Sequence, residues 1–83
     1  MARERVEVVA YSGYRGEETP RAFRWQGRMV EVAEIESRWT EEGVEGGATR
    51  RGFRLTGTDG IPYLLIYDEQ TQEWYCASKE HGP

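Results

Sequence analysis

Few side chains in this sequence could act as a nucleophile or transfer a proton. The one histidine, His81, lies near the C-terminus, in a tail over residues 78–83 that is expected to fray. The one cysteine, Cys76, has no basic residue close in sequence that would activate its thiol, so we expect a buried small side chain. We therefore predict no catalytic residue, no cofactor and no enzymatic activity. A small enzyme is the last of three alternatives.

Acidic side chains could instead hold a metal ion. Glu41, Glu42 and Glu45 stand close together, and a hard cation could bind them if this segment folded back on itself. Their spacing does not match an EF-hand, because no aspartate alternates with them. We expect solvated acids and predict no metal site.

Arginines that alternate with aromatic residues are better candidates for a binding site than the acidic residues are for a metal site. Bases of a single strand can stack on such aromatics while the guanidinium groups follow the phosphates. In a β-strand, however, these aromatics face the core, and the arginines face solvent beside acidic partners. The alternating residues are Phe23, Arg24, Trp25, Arg28, Arg38, Trp39, Phe53 and Arg54.

One further aromatic, Tyr14, stands in a glycine-flanked loop where no core position explains it. An exposed tyrosine of this kind is a candidate contact for a partner. We combine it with the arginines on or beside the predicted strands. The candidate binding residues are Tyr14, Arg21, Arg24, Arg28 and Arg54.

Charge and composition narrow the choice of partner. Eleven basic against fifteen acidic residues give a net charge of −4, which disfavours nucleic acid because a protein that coats phosphates is usually basic. No apolar run is long enough for a membrane helix, and a single cysteine excludes an internal disulfide framework. We expect a cytoplasmic protein without membrane contact, whose partner is another protein or a second copy of itself.

The elements that must position these side chains are short β-strands. Runs rich in Val, Tyr, Trp and Phe alternate with glycine and polar clusters, a pattern typical of strands and turns. Gln26-Gly27 and Asp59-Gly60 predict two tight hairpins between these runs. The predicted strands cover residues 3–11, 21–25, 28–40, 53–58, 61–67 and 73–78.

The predicted strand over residues 28–40 allows two interpretations. Val32, Ile35 and Trp39 fit a helical stripe, so a helix over residues 30–39 is an alternative to a strand. We favour the strand, since no N-cap residue precedes the run. These three residues and Val30 would all face the core if a β-bulge interrupted the strand near Ala33 or Glu34.

The stretch over residues 40–52 combines glycines with charged residues and predicts a long mobile loop. With 83 residues the chain can form one domain over residues 1–83, and not two. We predict an all-β fold, an antiparallel meander of five or six strands curled into a small barrel, closed or partly open.

Several motifs resemble those of a known family. Residues 23–28 read as an aromatic-x-Trp-x-Gly-Arg hairpin, Arg38-Trp39 ends a strand, and Tyr67-Asp68 with Trp74-Tyr75 forms a closing hairpin. Over residues 20–77 the chain resembles a family of short uncharacterised bacterial all-β proteins. Some members are encoded near relatives of damage-tolerance DNA polymerases, so the resemblance implies an accessory role in DNA repair. It carries over no site residue.

Taken together, these observations favour a non-catalytic protein-interaction module of unknown biological role. A strand edge left open by an incomplete barrel would pair well with another chain. The alternative is an accessory DNA-repair protein that contacts single-stranded nucleic acid through its arginines.

Overall fold

The computed structural model of the chain describes residues 4–12, 18–44 and 48–78. Within this part of the chain there are seven antiparallel strands in one sheet and no helix long and apolar enough to cross a membrane. The all-β meander predicted from the sequence is confirmed. The strands are β1 (Glu4–Val6), β2 (Val8–Ser12), β3 (Glu18–Trp25), β4 (Arg28–Val44), β5 (Ala48–Gly57), β6 (Pro62–Asp68) and β7 (Glu73–Ser78).

Closure of the sheet depends on the first predicted strand, which the structure divides at Glu7. The sheet order is β1-β7-β6-β5-β4-β3-β2, so two consecutive strands lie at its opposite ends. At the division, the Glu7 carbonyl accepts a hydrogen bond from the Arg24 amide at 2.9 Å. The meander therefore curls into a nearly closed barrel, and this division raises the predicted count of five or six strands to seven.

Both predicted hairpins are confirmed. Gln26 and Gly27 connect β3 to β4 with φ angles of 51° and 86°, as a two-residue turn between twisted strands requires. In the second hairpin the Gly60 amide donates to the Gly57 carbonyl at 2.9 Å, and Gly60 has a φ of 83°. A residue with a Cβ would be strained at that φ, which explains the glycine after Asp59.

The loop predicted over residues 40–52 is wrong for residues 40–44 and 48–52, which belong to β4 and β5, whereas residues 45–47 lie outside the described residues. The two strands form an antiparallel pair, with Glu41 opposite Arg50. Arg50 also lies 4.0 Å from Asp68 on β6, so opposite charges face each other along the sheet. Charged residues that suggest a loop in the sequence are here cross-strand partners, which stabilise an exposed sheet without burying apolar surface.

The third predicted strand is confirmed, and the helical alternative is wrong: β4 is a strand of 17 residues. Its register against β5 shifts between Val32 and Glu34, where a bulge was predicted. Val32 and Ile35 consequently both pack against the core. A second shift, between Ile35 and Ser37, reverses the alternation of side chains beyond it. Trp39, which we expected in the core, therefore lies on the outer surface.

The core inside the barrel is rich in aromatic residues. The rings of Phe23 and Tyr63 meet edge to face, with centroids 5.0 Å apart at 79°. The inward positions predicted for Phe23, Trp25 and Phe53 are confirmed. The buried cluster consists of Phe23, Trp25, Val30, Phe53, Leu55, Tyr63, Leu65, Trp74 and Cys76.

The thiol of Cys76 is fully buried on β7, as predicted. Burial, with a smaller contribution from the Glu4 charge, raises the pKa of this thiol to about 12. The side chain stays protonated at neutral pH and fills space in the core as a small apolar group.

Phe53 and Arg54 are neighbours on β5 that point to opposite sides of the sheet, which makes them a matched pair for a stability test. Phe53 is 3% exposed and Arg54 is exposed. We expect Phe53→Ala to lower the free energy of unfolding by about 3–5 kcal/mol, because it leaves a cavity in the core. Arg54→Ala should change it by less than about 0.5 kcal/mol. Urea denaturation measures both, and equal effects would contradict the strand register.

Candidate interaction surface

On the outer surface of the sheet, a tryptophan side chain packs directly against a glycine. Trp39 on β4 lies directly opposite Gly52 on β5. A Cβ at residue 52 would overlap the Cε2 and Cζ2 atoms of the indole, so the ring occupies the space that any other side chain would fill. The indole Nε1 donates a hydrogen bond to the Glu41 carboxylate at 3.1 Å. The indole is thus fixed on the backbone of β5 and partly exposed to solvent.

The same cross-strand line continues to Ile66 on β6 and Tyr75 on β7. We call Trp39, Gly52, Ile66 and Tyr75 the outer row. Ile66 is only 4% exposed although it faces away from the barrel interior, and Tyr75 is partly buried. Next to this row is a cavity of about 240 Å³, lined by Arg50, Ile66, Asp68 and Tyr75.

Tyr75 is held in place by an acid on its own strand. Its hydroxyl donates to one carboxylate oxygen of Glu73 at 2.9 Å, and Arg5 on β1 donates to the other at 2.8 Å. The hydrogen bonds from Tyr75 and Arg5 lower the pKa of Glu73, and the hydrogen bond to Glu73, together with burial, raises the pKa of Tyr75. The phenol is therefore neutral and oriented at neutral pH.

Carboxylates outnumber guanidinium groups around the outer row. On the outer face of β1, β7, β6, β5 and the part of β4 that pairs with β5, the described acidic residues are more numerous than the basic ones, so this region repels phosphate and attracts positive charge. The acidic residues are Glu34, Glu36, Glu41, Asp68 and Glu73, and the basic residues are Arg5, Arg50 and Arg54.

The candidate arginines do not form one surface. Arg21 and Arg24 are exposed on β3, and Arg24 lies 4.0 Å from the Glu7 carboxylate. Arg54 is exposed on β5 beside the outer row, with β4 between it and β3. Tyr14 lies outside the described residues. Of the four predicted site residues that the structure describes, it brings only Arg54 to the candidate surface.

Arg28 belongs to a hydrogen-bonded network at the β5–β6 turn. Asp59 accepts from Arg28 at 3.1 Å, from the Tyr63 hydroxyl at 2.8 Å and from the Ile61 amide at 3.0 Å. Burial opposes ionisation of Asp59, but these hydrogen bonds and the Arg28 charge outweigh it and lower the pKa of Asp59. Burial and the hydrogen bond to Asp59 raise the pKa of Tyr63 to about 12. The contacts of Arg28 thus stabilise the turn.

A wider depression of about 690 Å³ lies where β1 meets β2. Charged residues line it, and two of its arginines have acidic neighbours: Arg5 pairs with Glu73 at 2.8 Å, and Arg24 lies 4.0 Å from Glu7. Of its lining residues only Trp74 is aromatic, so the depression lacks the paired aromatic side chains of the outer row.

The acidic cluster considered in the sequence is only partly described. Glu41 and Glu42 are exposed on β4, whereas Glu45 and His81 lie outside the described residues. Within residues 4–12, 18–44 and 48–78, no three His, Cys, Asp or Glu side chains lie close enough to hold a metal ion.

Sequence reasoning missed most of this surface. It assigned Trp39 to the core and placed Arg50 and Asp68 in connecting segments, because neither the second bulge nor the length of β4 has a local marker. One signal was available in Gly52, a glycine beside strand-forming residues, which often marks a close approach by another group.

The Tyr63 phenol gives the fold a measurable pH dependence. The folded chain retains the phenolic proton up to a pKa of about 12, whereas the unfolded chain releases it near the ordinary value of about 10. The stabilisation is therefore complete below pH ~10 and is lost as the pH rises towards ~12. Tyr63→Phe should make the alkaline decrease smaller without abolishing it, because the buried Cys76 thiol and the Tyr75 phenol also have raised pKa values. Urea denaturation at neutral and alkaline pH measures it, and the same decrease in both proteins would contradict the assignment.

Gly52→Ala should displace the Trp39 indole. The new Cβ overlaps the ring, so we expect a loss of about 1–3 kcal/mol in the free energy of unfolding. The indole N–H signal of Trp39 should also shift in an NMR spectrum.

The control for this variant is a double-mutant cycle. In a Trp39→Ala background the overlap is absent, so Gly52→Ala should cost much less. Equal costs in both backgrounds would show that the indole does not rest on Gly52.

Comparison with known proteins gives one family and no individual relative. No curated protein and no solved structure matches the chain. One family model matches residues 1–81, which is nearly all of the sequence and confirms the prediction of an uncharacterised family. The chain belongs to the family described as "Domain of unknown function (DUF6504)".

Proposed function

We propose that this barrel is a non-catalytic, cytoplasmic protein-interaction module that binds its partner through the outer row. The observation that carries the proposal is the position of Trp39. A tryptophan on the outside of a small barrel, seated on a glycine and partly exposed, contributes to no core and is available to a partner.

The composition of the surface supports a protein ligand. Tryptophan, tyrosine and arginine are the side chains that most often dominate binding energy at protein interfaces. Trp39, Tyr75 and Arg54 lie on this face around the buried Ile66. The indole and the phenol are both held by hydrogen bonds to carboxylates, so a partner would meet a preorganised surface and lose little side-chain entropy on binding.

Catalysis has weaker support among the described residues. The Cys76 thiol is buried and protonated, and Asp59 and Tyr63 hydrogen-bond to each other within a turn. A catalytic group needs access to substrate and a supporting partner in a cleft. These three side chains stabilise the fold, so we propose a binding protein and not an enzyme.

Single-stranded nucleic acid is the second candidate ligand. Trp39 and Tyr75 could stack on bases while Arg54 contacts a phosphate, and this arrangement suits the DNA-repair role that the family resemblance implies. The excess of carboxylates on the same face opposes phosphate binding, so we place this candidate behind a protein partner.

Site-specific crosslinking tests the proposal. A photoreactive benzoylphenylalanine at Ser37, exposed on the outer face of β4 next to Arg54, should form a discrete adduct with one protein in cells that naturally produce this chain. Trp39→Ala in the same chain should reduce the adduct at least about tenfold, since loss of an interface anchor has this effect. Mass spectrometry identifies the partner, including a second copy.

The matched control carries the photoreactive residue at Met29, which is 48% exposed on β4 before the first bulge. An equal adduct from Met29, or no protein adduct from Ser37, would contradict the proposal. Fluorescence anisotropy with a labelled single-stranded oligonucleotide tests the second candidate. Saturable binding that weakens with salt and is lost in Trp39→Ala would favour nucleic acid instead.

A further inference from the structure

The two carboxylate oxygens of Asp68 have different surroundings. Oδ1 accepts hydrogen bonds from the amides of Gln70 and Thr71, at 2.9 and 3.2 Å, and so closes the β6–β7 turn. Oδ2 lies 4.0 Å from Arg50 Nε, beyond hydrogen-bonding distance, and accepts no hydrogen bond from the described residues. One oxygen stabilises the turn, and the other can still accept a hydrogen bond.

Asp68 is also one of the residues that line the cavity beside the outer row. Its side chain is 16% exposed, and the other lining residues are Tyr75, the buried Ile66 and Arg50. Because the Asp68 side chain is largely buried, a donor that satisfied its second oxygen would gain more than a donor in open water.

We propose that this cavity binds an arginine side chain of the partner protein, with the guanidinium group donating to Asp68 and its plane against Tyr75. This inference rests on the proposed function and names the chemistry of the partner. A guanidinium is planar, stacks on aromatic rings and matches a carboxylate in geometry. The acidic excess of the surrounding face, with Glu41 and Glu73 nearby in the sheet, attracts a basic segment to the outer row.

The effect of removing Arg50 on binding distinguishes a cation site from an anion site. If the cavity bound an anion, Arg50 would be its principal donor, and removing it would abolish binding. If the cavity binds a guanidinium, Arg50 is a competitor within the chain for Asp68, and removing it should strengthen binding. The long separation of 4.0 Å in the ion pair means that an incoming arginine displaces only a weak interaction.

The test is an NMR titration of the full chain with ethylguanidinium chloride, compared with sodium chloride at the same ionic strength. We expect saturable shifts at the amides of Gly52, Ile66 and Tyr75. Asp68→Asn should abolish them while keeping the turn, because the amide oxygen can still accept from Gln70 and Thr71. Arg50→Gln should raise the affinity several-fold. Glu31→Gln, which removes an exposed acid on another part of β4, is the matched control and should leave it unchanged.

Three outcomes would overturn the inference: shifts of the same size with sodium chloride, shifts that persist in Asp68→Asn, or loss of binding in Arg50→Gln. Saturable shifts with ethyl phosphate instead would assign the cavity to anions. The titration needs no partner, so its result is separate from the crosslinking experiment. An adduct from Ser37 without ethylguanidinium binding would retain the interaction module and reject the arginine.

Discussion

The alternation of side chains along β4 is the constraint on which the rest of the structure depends. A strand sends successive residues to opposite faces, and each bulge reverses that assignment for every residue beyond it. β4 has one reversal after Val32, which keeps Ile35 in the core, and a second after Ile35, which turns Trp39 outward. The strand therefore contributes the apolar side chains of its first half to the barrel interior and a tryptophan in its second half to the outer surface.

Length gives β4 this double role. A barrel of this size has a core only as tall as a few residues per strand, whereas β4 has 17 residues and β5 has 10. The aromatic cluster around Tyr63 fills the interior. The far halves of β4 and β5 carry charged cross-strand positions, such as Glu41 opposite Arg50. The candidate surface lies at the start of these halves and is backed by the core, because Phe53, Leu65 and Trp74 are the sequence neighbours of Gly52, Ile66 and Tyr75.

The two aspartates at the turns, Asp59 and Asp68, differ in how many hydrogen bonds they accept. Asp59 receives three hydrogen bonds and closes its turn completely, and the buried Tyr63 is one of the donors. Asp68, which lines a cavity, closes its turn with one oxygen and accepts no hydrogen bond at the other from the described residues. The same residue type thus completes the fold at one turn and retains binding capacity at another, because the number of available donors differs.

The sequence by itself determined the strand-rich composition, the two tight hairpins, the bulge after Val32 and the inward positions of Phe23, Trp25 and Phe53. These features follow from local properties: turn residues with left-handed backbone, β-branched and aromatic runs, and an alternation of period two. The family resemblance, read from short motifs, was confirmed only as membership of an uncharacterised family.

Only the tertiary structure determined which residues form the outer row. The second bulge has no glycine or proline to mark it, and the pairing of β4 with β5 beyond residue 40 joins segments whose glycines and charged residues are typical of a loop. The division of the first strand at Glu7 is likewise a result of closure, since the two halves pair with different strands. Local patterns specify which residues can form a strand, but register is set between strands, and register decides which side chains reach a partner.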